Sequence, residues 1–205
     1  MEWSSDGWRS AFRIELRVQA IGLASRGWPV LPGTYPADSR WTGRSGTESE
    51  GPAPVQADWS ERLVRNPDEA ASWWSEQPYS LLLATGTTVE ALEVDSGLGR
   101  RAASVLRAGG FPAPIVSTPD GRWFFLTEGD QSLCEELADT VEVRLHSTGS
   151  WVPMPPTTYP QGLVHWRVKP DVCAWRLPRP ALVQDALCAG LLESHDVVDL
   201  VAAGN

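Results

Sequence analysis

The sequence predicts a mixed α/β (α+β) domain with a small helical appendage at its C-terminal end. Segments of period-two alternation and short apolar runs recur between segments of helical period, as the strands and helices of one layered core do. Gly, Pro, Asn and Asp punctuate nearly every junction. Of the 205 residues, 42% are hydrophobic, which is enough for a substantial core. No internal repeat is visible. No run of roughly eighteen apolar residues is present that could span a membrane.

The elements follow in order. Residues 8–26 read as an amphipathic helix, because Trp8, Phe12, Leu16, Ala20 and Leu23 recur at three-to-four spacing and Gly27 stops it. Residues 28–31 form a short buried strand. The stretch 32–56 is rich in Gly, Pro, Ser, Thr and Arg without periodicity, so a long loop is expected there. Its Arg40, Trp41 and Arg44 are possible ligand contacts. Asn66-Pro67-Asp68-Glu69 starts a helix running to about 77, with Asn as N-cap, Pro at the first helical position and Glu at the capping-box place.

Residues 80–85 (SLLLAT) are an apolar strand, and Gly86 turns the chain into a second strand over 89–95 (VEALEVD). A helix over 99–108 is closed by Gly109-Gly110. Strands over 113–117 and 122–127 flank the turn Pro119-Asp120-Gly121, and a helix covers 130–139. In a strand over 141–146, Val141, Val143 and Leu145 take one face and Glu142, Arg144 and His146 the other. A strand over 163–168 follows the rigid Pro155-Pro156-Thr157 segment, and two short helices close the chain over 179–190 and 194–203. The predicted division is a main domain over 1–170 and an appendage over 171–205.

The strand over 89–95 carries the first chemical signal. Leu92 and Val94 share one face; Ala91, Glu93 and Asp95 share the other. Two carboxylates therefore project side by side, about 7 Å apart at strand rise. Hard divalent cations need such oxygen ligands, and one or two carboxylates with substrate phosphates suffice for Mg²⁺. The plain alternative is a strand with a solvated acidic face.

Charge and composition exclude several classes. The net charge of −9 opposes nonspecific grip on a phosphate backbone, which runs on Lys and Arg. One Lys stands against sixteen Arg. Cys134, Cys173 and Cys188 are odd in number and lack metal-like spacing, so they read as buried free thiols of a reducing cytoplasm. The first residues show no basic-then-apolar signal pattern, and a soluble, cytoplasmic protein without membrane contact is expected. There is no Walker-type phosphate loop, no nucleophile elbow, and no compact zinc spacing among His146, His165 and His195. Eleven tryptophans could stack on bases, but most sit at helical spacing or beside Pro, where core packing is commoner.

Taken in order, Gly27-Trp28-Pro29-Val30-Leu31-Pro32, Trp73-Trp74 with Pro78, Thr85-Gly86, Leu92-Glu93-Val94-Asp95, Ser117-Thr118-Pro119-Asp120-Gly121, Val141-Glu142-Val143-Arg144 and Pro155-Pro156-Thr157 form a set. This set resembles the bifunctional DNA primase/polymerase N-terminal domain family of the archaeo-eukaryotic primase superfamily, over about residues 15–170. The resemblance implies an α/β core with a mixed sheet like that of an RNA-recognition motif. It also implies nucleotidyl transfer in which Mg²⁺ or Mn²⁺ stabilises attacking and leaving oxygens, with nucleotide or DNA as partner.

Carried over residue by residue, the resemblance puts the metal-binding and catalytic acids on Glu93, Asp95 and Glu142. It puts the phosphate-contacting His on Trp123, and makes Ser117, Arg144 and His146 further nucleotide contacts. Two of the three acids are Glu where the family has Asp. Glu93, Asp95, Trp123, Glu142, Arg144 and His146 would share one side of the sheet. Without metal, three such carboxylates would repel, and one would hold its proton near neutral pH. An Arg144–carboxylate network with Trp123 packed over it would relieve this. Two readings follow: a metal-dependent primase/polymerase nucleotidyltransferase, weakened or inactive, or a non-catalytic relative that binds a nucleotide or a protein partner in a regulatory role and needs no cofactor.

Overall fold

A computed structural model describes residues 5–37, 40–44, 51–86, 88–129 and 131–203. The centre is a five-stranded antiparallel sheet built from β5 (Glu90–Asp95), β6 (Ile115–Ser117), β7 (Arg122–Thr127), β8 (Arg144–His146) and β12 (His165–Val168). Its strand order is β12-β6-β7-β5-β8. A three-stranded antiparallel sheet runs β1 (Val30–Gly33), β4 (Ser80–Ala84), β9 (Trp151–Pro153) in the order β1-β4-β9. Two hairpins complete the β structure: β2 (Tyr35–Ala37) with β3 (Arg40–Thr42), and β10 (Thr158–Tyr159) with β11 (Gly162–Leu163). The helices are α1 (Ser5–Ala24), α2 (Pro67–Trp73), α3 (Ser96–Ala108), α4 (Glu135–Ala138) and α5 (Pro180–Ala203).

The central sheet is covered on both faces. One face gives Ala91, Val116, Phe124 and Leu126 to a core shared with Leu16, Ala20 and Leu23 of α1 and with Leu81 and Leu83 of β4. The other gives Leu92, Val94, Ile115, Trp123 and Phe125 to a core shared with Leu98 and Ala102 of α3 and with Val183 and Leu187 of α5. Double coverage is why β7 reads RWFFLT, apolar at four consecutive positions rather than alternating. β4 is likewise buried along its whole length. The α/β class and most elements thus stand as expected, and Trp28, Trp74 and Trp123 serve the core.

Several boundaries differ from the sequence expectation. The helix expected from 99 begins at Ser96, because Asp95 caps it: its Oδ1 accepts from Gly97 N at 2.6 Å and Leu98 N at 3.2 Å. Asn66 caps α2 as expected, accepting from Asp68 N at 2.8 Å. The stretch 32–56 is not all loop: it continues β1 to Gly33 and forms the β2–β3 hairpin, while residues 38, 39 and 45–50 lie outside the described residues. Of the strand expected over 141–146, only β8 pairs; Val141 is fully exposed in a turn, with no layer above it to reward a strand. The helix over 130–139 shrinks to α4. The two tail helices are one, α5, held along α3 by the Gly190 carbonyl accepting from Arg101 Nε at 2.6 Å. The three cysteines are free but half-buried rather than buried, and the Cys134 and Cys188 sulfurs lie 3.9 Å apart.

Gly99 explains how α3 lies so close to the sheet. A Cβ there would meet the Trp123 ring at 2.7 Å. Replacing Gly99 by Ala should therefore destabilise, although Ala gains about 0.5–1 kcal/mol of helix preference. Overpacking of this kind costs about 1–3 kcal/mol. Thermal unfolding followed by circular dichroism should show a lower Tm for Gly99→Ala, by a few degrees per kcal/mol at this chain length. An unchanged or higher Tm would contradict the close approach.

Candidate functional site

Glu93 is the centre of the polar patch on the central sheet. Directly opposed residues in an antiparallel ladder share a face. The register sets Glu93 opposite Phe124 and Arg144, Asp95 opposite Arg122, and Ala91 opposite His146. Arg122 Nε donates to Glu93 Oε1 at 2.7 Å, and His146 Nε2 meets Glu93 Oε2 at 2.6 Å. An ionised carboxylate can only accept, so the Nε2 hydrogen belongs to His146. The other ring nitrogen, Nδ1, is 2.9 Å from Ser150 Oγ. Arg122 also donates through Nη2 to the Glu142 carbonyl at 3.2 Å. Phe124 packs beside His146 with ring centres 5.7 Å apart, walling the cluster on the core side.

The electrostatics follow from this geometry. Burial by itself would raise the Glu93 carboxyl, but hydrogen bonds from His146 and Arg122, reinforced by their charges, lower it from 4.5 to about 2. Tyr159 borders the same cluster. Its hydroxyl is held far above the ordinary tyrosine range, first by burial and then by the carboxylates of Asp120 and Glu93. Trp41 meets Tyr159 edge-on, ring centres 5.9 Å apart, which closes this side of the patch.

Glu93 and His146 are thus joined directly, and Arg144 stands in register beside them. The other expected site residues are dispersed. Asp95 shares the face but spends its Oδ1 on the first turn of α3. Glu142 is exposed on the turn before β8, and only its backbone carbonyl enters the cluster. Trp123 and Ser117 pair with each other in register, on the face that packs against α3. His165 is exposed on β12, and the His195 side chain lies outside what is described.

The sequence expectation needs two corrections. Trp123 does not cover the acids but packs toward α3, and its neighbour Arg122 is the residue that reaches them. The salt bridge to the carboxylate comes from Arg122, not Arg144. The repulsion expected among the acids is relieved at Glu93, whose carboxyl is lowered by its His146 and Arg122 partners. The sequence missed Arg122, Tyr159 and Ser150. With Trp123, Phe124, Phe125 and Leu126 all apolar, alternation says nothing about which face of β7 is which.

This donor set does not fit a pair of divalent metals. Both Glu93 oxygens are engaged by cationic or N–H partners at hydrogen-bond distance. Among the described residues, no group of three or more His, Cys, Asp or Glu side chains is placed to hold a metal ion. A Mg²⁺ ion here would have to displace Arg122 or His146 and still find octahedral oxygen ligands.

Compared with known proteins, residues 20–181 match the family model described as bifunctional DNA primase/polymerase, N-terminal. No curated protein matches the chain.

Glu93 makes acid stability predictable. A carboxyl lowered in the folded state stabilises it above the unfolded value near 4.5, and that contribution is lost as pH falls toward about 2. At 1.36 kcal/mol per unit the contribution is about 3 kcal/mol. Urea unfolding of wild type and Glu93→Gln should show a gap of that order at pH 6–7, narrowing steadily below pH 4.5. A gap independent of pH would refute the ionic role of Glu93.

Proposed function

The chain belongs to the bifunctional DNA primase/polymerase N-terminal family, and from that premise we propose that this domain is a non-catalytic member acting as a binding module in a regulatory role. One observation carries the reading: Glu93, at the first acid position of the resemblance, is bound on both oxygens by Arg122 and His146. An arginine supplies the positive charge that a metal would supply, without a metal's ability to bridge phosphate oxygens or to position an attacking hydroxyl. Asp95 serves as a helix cap, and the Glu142 carboxyl is on an exposed turn, so the three acids do not converge.

The residues of this site therefore hold structure and present a polar patch. Arg144 and the exposed edge of Arg122 are its cationic surface and could meet a nucleotide phosphate or a partner carboxylate without metal. The net charge of −9 weighs against a long nucleic-acid backbone as the ligand. Free thiols at all three cysteines fit a reducing, cytoplasmic setting.

The test is a calorimetric titration of Mn²⁺, alone and with a deoxynucleoside triphosphate, paired with template-dependent primer extension. The expected outcome is no metal-dependent nucleotide binding and no incorporation by the wild type. Incorporation that Asp95→Ala abolishes, with the variant shown to be folded, would establish the metal-dependent nucleotidyltransferase instead. The fold check matters because loss of a helix cap alone costs about 1 kcal/mol.

A further inference from the structure

The face of the central sheet opposite Glu93 carries a second feature. Between α3 and β12 lies a half-open groove of about 320 Å³, near the lower size of ligand pockets. Its floor is apolar and includes Trp123 and Ile115, and three arginines edge it: Arg100, Arg107 and Arg167. Among the described residues, no Asp or Glu lines it. Among the described residues none of the three arginines forms an ion pair, whereas Arg62 and Arg122 do. Arg167 stands over the Trp123 ring, its guanidinium carbon 5.3 Å from the ring centre.

Unpaired cations converging on an apolar wall are unusual in a chain of net charge −9. Like charges held together repel, and an anionic ligand relieves that repulsion while the low-dielectric wall strengthens the attraction. The spacing adds a shape. Arg100 and Arg107 are seven residues apart, so they lie on one stripe of α3 about 10 Å apart. The small Ala103 and Ser104 between them leave the wall open to the apolar floor. The complementary object is linear: acid, apolar side chain, acid. In an extended peptide, about 10 Å is three residues at strand rise.

We propose that the α3–β12 groove is a docking site for an acidic peptide segment of a partner protein, with carboxylates on Arg100, Arg107 and Arg167 and one apolar side chain seated against Trp123. The exposed Val172 at the groove edge adds apolar contact for that side chain. The groove lies across the sheet from Glu93, so this inference stands or fails independently of the reading of that site.

The probes are fluorescein-labelled dodecapeptides carrying Asp or Glu on both sides of a single Phe or Leu, followed by anisotropy with the full chain. Binding should weaken as salt is raised, and Arg100→Glu or Arg107→Glu should each weaken it by about tenfold or more, as charge reversal at a charge-complementary contact does. Arg17→Glu, on the exposed face of α1, should leave it unchanged. All three sites are exposed, so these variants should fold. The proposal is overturned if the acidic peptides bind no better than neutral ones, or if the arginine reversals have no effect. It is also overturned if labelled oligothymidylate binds at these arginines and the peptides do not, or if the only effect of Arg100→Glu is to abolish self-association of the chain.

Discussion

The register of β5 on β7, six consecutive pairs from Glu90 with Thr127 to Asp95 with Arg122, sets which side chains share a face of the central sheet. A slip of one residue would send Trp123 and Phe125 to the α1 side and turn Arg122 into the helical core. The apolar content of β7 would tolerate the slip on either face, since four consecutive positions are apolar. Polar and steric constraints fix the register instead. Glu93 finds a guanidinium only if Arg122 is on its face, and α3 can approach only if Trp123 meets Gly99.

Glu93 illustrates the energetics of a partly buried charge. Taking a carboxylate out of water is costly, and the cost is recovered only when both oxygens find strong donors. Here they do, from two different strands, so an ion pair from Arg122 and a hydrogen bond from His146 also tie β7 and β8 to β5. Removing one member leaves the others desolvated, which is why such a cluster is conformationally stiff and a poor place to admit a cation. A metal site needs carboxylates that are pre-oriented yet unspent. In this domain two of the acids at the expected positions are committed to protein, Glu93 to an arginine and a histidine and Asp95 to a helix start, while the third, Glu142, is carried out on a turn.

The two faces of the central sheet therefore have different capacities. The α1 side is knitted together by the Glu93 ion pair and hydrogen bonds and by aromatic edges such as Phe124 on His146 and Trp41 on Tyr159. The α3 side is apolar at depth and cationic at the rim, with arginines that no carboxylate neutralises among the described residues. Surface arginines stacked on or beside tryptophan lose little conformational freedom when they bind an anion, because the ring already orders the guanidinium.

The sequence by itself determined the class of fold, the family set of motifs, most helices and strands, and the pairing of Glu93 with Asp95 on one face of a strand. These follow from local periodicity and from turn and cap chemistry such as Asn66-Pro67, which depend on a few neighbouring residues. It could not determine the face of β7, because a strand buried on both sides has no alternation to read. Nor could it foresee that Asp95 starts α3, since Gly97 and Gly99 argue for a turn until the Trp123 ring supplies a reason for glycine inside a helix. The strand through Glu142 failed for the complementary reason: its alternation was sound, but no layer covers Val141. Tertiary structure decided the partners of each charge, because these depend on distances of a few ångströms between residues 29 and 53 positions apart in the chain.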